Sequence, residues 1–432
     1  MVSTTPAFNL KVVLKETGIA ADTLRAWERR YGLPMPQRSA GGHRLYSQRD
    51  IETIKWLIKR QAEGLSISRA VDLWNEQLAS GSDPLAGSVP ASLLPASSAN
   101  LESLRRDWLA ACLKFDTLAA EQTLNQAFAV HSVEIICTEV MMRGLHEVGE
   151  LWHTGASTVQ QEHFASEIAM RRLEALISAS PAPTQAETVL VACPAEEWHT
   201  FPALLITLFL RRRGWNVVFL GAVVPTERME ETVHVVNPSL MILSAQTLVT
   251  AVPLREMARL LKEKNIQAAF GGRVFNHISG LSSRIPAHFL GNTIESSIPM
   301  IENLMISPSP TPAEETLAIR TLQLAAAYQQ RRPLIESTLF DTLKSHDQTI
   351  QYIDIANHFL GNTLTAALEL GDISYASTDL HWLTNLLVER NISVSLLPAF
   401  LELYAQATRE VMGKEAQAIS EWLTVEAQKL KA

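Results

Sequence analysis

Between residues 188 and 306 the chain alternates short, wholly apolar runs with helix-length stretches, and that alternation leaves few folds open. The runs are Val189–Ala192, Asn216–Leu220, Leu240–Leu243 and Ala268–Phe270. Apolar strands this short are buried on both faces, and the stretches between them are long enough for crossover helices. Together they predict a parallel sheet covered by helices. In an open sheet of this kind, ligands bind outside the carboxyl ends of the strands. The first run leads into Glu197-Trp198-His199, which places a carboxylate and an imidazole on one strand-to-helix loop at that end.

Three stretches, residues 80–99, 178–187 and 306–313, are rich in Pro, Gly, Ser or other small residues, lack apolar periodicity and read as boundaries. Residues 101–177 carry apolar positions at three- and four-residue spacing, as a bundle of about four helices would. Residues 314–432 return to helix. The expected architecture is multidomain and mainly α with an α/β core. It comprises an N-terminal domain (1–79), a linker (80–100), a four-helix bundle (101–180), a Rossmann-like parallel-sheet domain (181–306) and a C-terminal helical bundle (307–432). Few contacts are expected to cross the Pro-rich boundary, so a chain cut at Ser307 is expected to fold.

Composition narrows the class. With 47% hydrophobic and 19% charged residues, the chain reads as globular and soluble. No apolar run reaches the roughly 18 residues a membrane span needs, and no apolar block opens the chain, which predicts a cytoplasmic protein without membrane partners. Cys112, Cys137 and Cys193 are too scattered for a disulfide framework or zinc site and read as small core residues. The net charge of −8 argues against a nucleic-acid coat, yet residues 1–78 hold twelve Lys/Arg against eight Asp/Glu. A modestly basic end on an acidic body suits a local phosphate contact.

That end has the matching pattern. A short apolar-faced helix, a turn at Gly18 and a second helix opening near Ala21-Asp22 form a helix-turn-helix. The second helix carries Arg25, Arg29 and Arg30. Gly41 and Gly42 allow a hairpin flanked by Arg38, His43, Arg44 and Tyr46, a basic wing. The run from Thr23-Leu-Arg through Trp27-Glu-Arg-Arg-Tyr-Gly-Leu33, followed by the Arg38 to Tyr46 wing, resembles the MerR family of transcriptional regulators over residues 8–76. The resemblance implies that these residues contact double-stranded promoter DNA. In that family a long helix after the wing makes the dimer. Here the helical pattern stops near Leu78, which moves oligomerisation, as dimer or tetramer, to a later domain.

Nine residues separate Trp152 from Glu162-His163, and Glu197-Trp198-His199 follows about thirty-five residues on. With these motifs, residues 101–304 resemble the cobalamin-binding domains of light-dependent MerR regulators of the CarH/LitR type. The resemblance implies adenosylcobalamin, capped on its upper face by Trp152, Glu162 and His163. His199 would be the lower cobalt ligand, backed by Glu197, and His153 the upper one once light has removed the adenosyl group. Gly221, Ser244, Gly271 and Gly272 fall where the family wraps the nucleotide tail. The family's loop ends in Gly; here the position is Pro202.

No separate catalytic constellation is visible, so a sensor rather than an enzyme is expected. A corrinoid-dependent methyl-transfer module and a cobalamin-free MerR-type regulator are the alternatives. The tail from 307 reads as an oligomerisation or partner-docking bundle. Its order after the cobalamin domain also resembles photocobilins, in which case Tyr352, His358, Tyr375, His381 and Trp382 would line a non-covalent biliverdin pocket.

Overall fold

The computed structural model describes residues 6–17, 19–38, 44–62, 66–79, 98–345, 353–380 and 396–431. They form two compact units, residues 1–100 with 128–132, and residues 101–127 with 133–432.

The first unit is a winged helix-turn-helix. Strand β1 (Pro6–Asn9) leads into α1 (Leu10–Thr17) and α2 (Ala21–Tyr31); β2 (Gln37–Arg38) and β3 (Arg44–Ser47) then form the wing, and α3 (Gln48–Ala62) and α4 (Ile67–Ala79) close the unit. The three strands pair antiparallel in the order β1-β3-β2. α2 turns Leu24 and Trp27 inward, one helical turn apart, and leaves Arg25, Arg29 and Arg30 exposed. It ends at Gly32, whose φ of +68° suits the left-handed cap, with the Gly32 N–H donating to the Glu28 carbonyl. Trp56 and Trp74 lock α3 to α4 edge-to-face, centroids 5.2 Å apart.

The second unit begins with α5 (Ser98–Leu113) and α6 (Thr117–Val130). A turn at Val133–Ile135 and a π-helical segment, Ile136–Met142, run into α7 (Arg143–His153). Gly144 is required there, because a Cβ would lie 2.6 Å from the buried Trp108 ring. α8 (Val159–Ser178) starts at a capping box, in which the Thr158 side chain accepts from the Gln161 N–H and Gln161 from the Thr158 N–H. This start fixes Glu162 and His163 in the helix's first turn.

The sheet that follows is built from β4 (Thr188–Ala192), β5 (Asn216–Phe219), β6 (Leu240–Ser244), β7 (Ala268–Gly271) and β8 (His288–Phe289), all parallel, in the order β5-β4-β6-β7-β8. The intervening helices are α9 (Phe201–Arg212), α10 (Met229–Val236), α11 (Leu248–Glu263) and α12 (Arg273–His277), with α13 (Ile294–Ile306) last. α9 is buried at every position from Ala203 to Leu210, as a helix packed on two sides must be. The strand order reverses between β4 and β6, which opens a crevice at their carboxyl ends. Mainly helical with one five-stranded parallel sheet, the architecture agrees with the sequence reading.

The tail holds α14 (Ile319–Ser345), α15 (Ile353–Leu370), α16 (Leu396–Met412) and α17 (Gln417–Lys429). Here one expectation fails. The tail shares a continuous apolar core with the sheet domain, running from Leu190 and Met241 through Leu254 to Tyr328, Leu364 and Leu423. Arg255 on α11 is buried and donates to the Glu369 carbonyl at 2.6 Å, and Arg259 pairs with both Glu314 oxygens through Nε and Nη2. The Glu315 N–H reaches the Ser283 carbonyl at 3.0 Å. The Pro-rich stretch thus lies against the sheet domain, and a cut at Ser307 would strip α11 of its cover. Pro-rich composition marks where regular structure stops, not where contacts stop. The three cysteines are buried as expected, and burial pushes each thiol up to about 12.

Candidate cofactor site and nucleic-acid face

At the crevice, the loop after β4 turns back on itself. The Glu197 N–H donates to the Pro194 carbonyl, and the Val223 N–H donates to the Glu197 carbonyl, both at 3.1 Å. Glu196 absorbs the bend with a φ of +65°. Tied at both ends, the loop buries the Glu197 carboxylate completely.

Four donors converge on that carboxylate. Oε1 accepts from the His199 N–H at 2.8 Å and from His199 Nδ1 at 2.7 Å. Oε2 accepts from the Gln246 N–H at 2.6 Å and from Thr250 Oγ at 2.8 Å. An ionised carboxylate only accepts, so Nδ1 carries the proton and the unshared pair of a neutral ring lies on Nε2. The imidazole itself is about two-thirds exposed. Burial alone would push the Glu197 carboxyl upward, but the His199 hydrogen bond and charge and the N–H groups of Gln246 and His199 outweigh it, so its pKa lies below the usual range. The hydrogen bond to Glu197 holds His199 above the ordinary histidine value against a partial loss of water around the ring, with the charges of Glu197 and Glu162 adding to it and Arg273 opposing.

The glycines divide into two kinds. At Gly221, with φ +89°, and at Gly271, a Cβ would meet nothing within 4 Å. These two leave room at the same sheet end as the Glu197–His199 loop that a bound group can use. At Gly272 a Cβ would lie 1.8 Å from the Ala245 carbonyl oxygen, so this glycine is required by the protein's own packing and not by a ligand. Ser244 is buried, and its hydroxyl accepts from Gln246 Nε2 at 2.9 Å. Gln246 also accepts from the Arg273 N–H at 3.0 Å, so one side chain joins the ends of β6 and β7 while its backbone holds Glu197. Gln246 and Thr250 were not singled out from the sequence. The Thr247–Thr250 capping box was readable there, but its second use, holding a carboxylate from another loop, depends on the fold.

Pro202 sits in the first turn of α9, where a missing N–H costs nothing and a φ near −65° is already helical. The substitution therefore leaves the loop intact. Across from it, Thr200 contacts Met170 of α8, and the charge of Glu162 reaches His199, so the bundle and the loop face each other within one unit. Glu162 bonds His163 Nδ1 at 2.7 Å and Ser166 Oγ at 2.8 Å, and His163 is largely exposed. Trp152 is half-buried near the end of α7. The ring of His153, the side chain of Arg38 and all of His43 lie outside what the structure describes.

On the nucleic-acid face, two wing residues change role. Tyr46 is fully buried and its hydroxyl donates to Glu28 Oε1 at 2.6 Å, so it is a core residue and not a DNA contact. Arg44 donates to the other Glu28 oxygen at 2.8 Å, which ties the wing to α2 and commits part of its charge. Arg25 pairs only loosely with Asp22, at 3.6 Å, and Arg29 and Arg30 stand exposed on α2. The alternating Arg/Tyr pattern of a strand shows which residues share a face but not which face is buried.

Comparison with known proteins gives the same order of parts. Residues 8–77 match the MerR HTH family regulatory protein model, and residues 104–177 and 187–281 each match a B12 binding domain. The HTH-type transcriptional repressor CarH of Myxococcus xanthus is 30% identical over 284 residues, covering 65% of this chain and 94% of CarH. CarA, a repressor of the same organism, is 31% identical over 238 residues, covering 54% of this chain and 75% of CarA. A monomethylamine corrinoid protein of Methanosarcina barkeri superposes with a TM-score of 0.40 at 18% identity, over 46% of this chain and 98% of that one.

Proposed function

Since the chain belongs to the family of MerR-type transcriptional regulators with B12-binding domains that includes CarH and CarA, we propose that it is a light-responsive regulator with adenosylcobalamin as its chromophore. The observation that carries the reading is the fully buried Glu197, whose grip on Nδ1 presents Nε2 of His199 at the strand-order switch point. A single imidazole is a poor cage for a bare ion but a fitting axial partner for cobalt already held by a macrocycle. The open volumes at Gly221 and Gly271 fit such a group.

Bound adenosylcobalamin supplies a cobalt–carbon bond that light can break. His199 would be the residue to hold the cobalt, its tautomer fixed by Glu197, while Thr250 and Gln246 keep the acid in place. Trp152, Glu162 and His163 would cap the bound group from the bundle, and His153 at the end of α7 would be a candidate second cobalt ligand once the adenosyl group has left. Trp152 would sense the bulk of the adenosyl group, and its loss would alter the assembly, a dimer or tetramer. The winged helix binds promoter DNA through Arg25, Arg29 and Arg30.

Among the described residues no helix is long and apolar enough to cross a membrane. Action on promoter DNA would go with a cytoplasmic location. The tail's shared core with the sheet domain supports an integral structural role over a separate bilin pocket. Tyr375 is buried and the His358 ring bonds Asn362 Nδ2 at 3.1 Å, while Tyr352, His381 and Trp382 lie outside the described residues. The test is the visible spectrum and sedimentation of protein loaded with adenosylcobalamin in the dark, then exposed to green light. Uptake, a spectral change and an altered assembly are expected. No uptake, or an assembly indifferent to light, would sink the proposal. A new red band on adding biliverdin would instead make the tail a second chromophore site.

A further inference from the structure

Trp198 stands between the buried acid and the axial imidazole, and its side chain is 73% exposed. Every other tryptophan among the described residues is buried or half-buried. Leaving an indole in water forgoes the largest apolar burial any side chain offers, and here the exposed ring is displayed on a fixed loop directly beside the His199 imidazole. The loop is fixed by the Glu197–Pro194 and Val223–Glu197 backbone bonds and by the side-chain bonds of Glu197. The indole is therefore displayed by a rigid frame, one residue from Nε2 and at the same sheet end as the open volumes of Gly221 and Gly271.

We propose that Trp198 is a further cobalamin-positioning residue, packing its ring against the lower side of the corrin beside His199 and closing the imidazole–cobalt contact to water. This rests on the cobalamin reading above. A flat, largely apolar macrocycle edge is the occupant that matches a flat indole next to an axial ligand. Because the ring makes no part of the protein's own core, replacing it leaves the fold unchanged.

The experiment titrates parent, Trp198→Ala and Trp198→Phe with hydroxocobalamin in the dark, reading the visible spectrum. Oxidation of Trp198 by N-bromosuccinimide is followed by peptide mass spectrometry in free and loaded protein, and sedimentation of the free proteins is compared. Burial of an indole predicts a loss of about tenfold in affinity for Trp198→Ala, with Trp198→Phe within about threefold of the parent. Trp198 is expected to oxidise in the free protein and to be protected once loaded, with sedimentation of the free variants unchanged. A parent that takes up no hydroxocobalamin overturns the cobalamin reading and this inference with it. A parent that binds while Trp198→Ala binds equally, or stays equally oxidisable when loaded, overturns the role of Trp198 alone. A smaller free assembly of Trp198→Ala with undiminished affinity also overturns it, and assigns the indole to contact with a second copy of the chain.

Discussion

Among the described residues, two histidine–carboxylate pairs share the same 2.7 Å bond and have opposite physics. In Glu197–His199 the carboxylate is fully buried and receives three further donors; in Glu162–His163 the acid is partly exposed and the imidazole about three-quarters so. Distance does not distinguish them. Burial and the number of donors do, because a charge removed from water depends on every bond it keeps, whereas an exposed pair competes with solvent at little gain. The pair with the buried acid is therefore rigidly held and the exposed pair adjustable; in the proposed function the first would mount the ligand and the second would edge the cap.

The largest effect that sharpens this contrast is Glu197→Ala. It leaves Thr250 Oγ and the N–H groups of Gln246 and His199 without their acceptor, and about 2–4 kcal/mol of stability in the cofactor-free protein should go with it. Cobalamin retention should be lost as well. Chemical denaturation of parent and variant checks it, and a change below about 1 kcal/mol would mean that the buried acid is not the anchor that the geometry makes it.

Next comes pH, where the free and loaded proteins should respond in opposite directions. The folded-state pKa of His199 is raised, so its pairing stabilises the free protein fully below about 6.5 and less as pH rises through the higher folded value. Glu197 is shifted down, so its contribution is present above its ordinary range and is lost only as pH falls through the lower folded value. A cobalt ligand must have Nε2 unprotonated, so cobalamin retention should strengthen over the interval in which free-protein stability weakens. His199→Ala should abolish both trends. Thermal melts and cofactor dissociation from pH 6 to 9 read them, and parallel slopes would break the contrast.

How far was this legible beforehand? The apolar runs placed the sheet, because a buried strand must be apolar on both faces whatever surrounds it. The Glu197-x-His199 spacing marked the loop on which acid and imidazole pair, since two residues is the reach for a side chain to bond an imidazole on its own loop. What was not legible depended on contacts between distant segments. Gln246 and Thr250 reach Glu197 only because β4 and β6 are neighbours, Gly272 is fixed by Ala245, and the tail's attachment rests on Arg255 and Glu369. Tyr46 was misassigned for the same reason, its burial being decided by α1 and α3 against β3 and by Glu28 reaching over from α2.

The same distinction divides the basic residues of the first unit. Arg29 and Arg30 are exposed on α2, while Arg44 is held by Glu28, which also takes the Tyr46 hydroxyl. Replacing Arg29 or Arg30 by Ala should flatten the salt dependence of DNA binding by about one unit of slope per lost phosphate contact and leave the melting temperature near that of the parent. Arg44→Ala should lower the melting temperature more than either and change the slope less. Affinity measured at several salt concentrations, with melts on the same samples, separates the two. A full unit of slope lost with Arg44 and none with Arg29 or Arg30 would put the wing, and not α2, on the phosphates.

The smallest effect belongs to the exposed pair and tests the other half of the comparison. Glu162→Ala removes a partner from a largely exposed imidazole, one bond to Ser166 and a negative charge from the first turn of α8. An exposed ion pair contributes about 0–1 kcal/mol and a first-turn charge a similar fraction, so the free protein should lose no more than about 1 kcal/mol. If the pair serves the cap, the loss appears elsewhere, as faster release of adenosylcobalamin in the dark and a smaller change of assembly on illumination. His163→Ala should reproduce it. The result that breaks the comparison is a large loss of stability in the free protein, because it would show that Glu162 anchors the fold as Glu197 does and that exposure is a poor guide to which pair carries the structure.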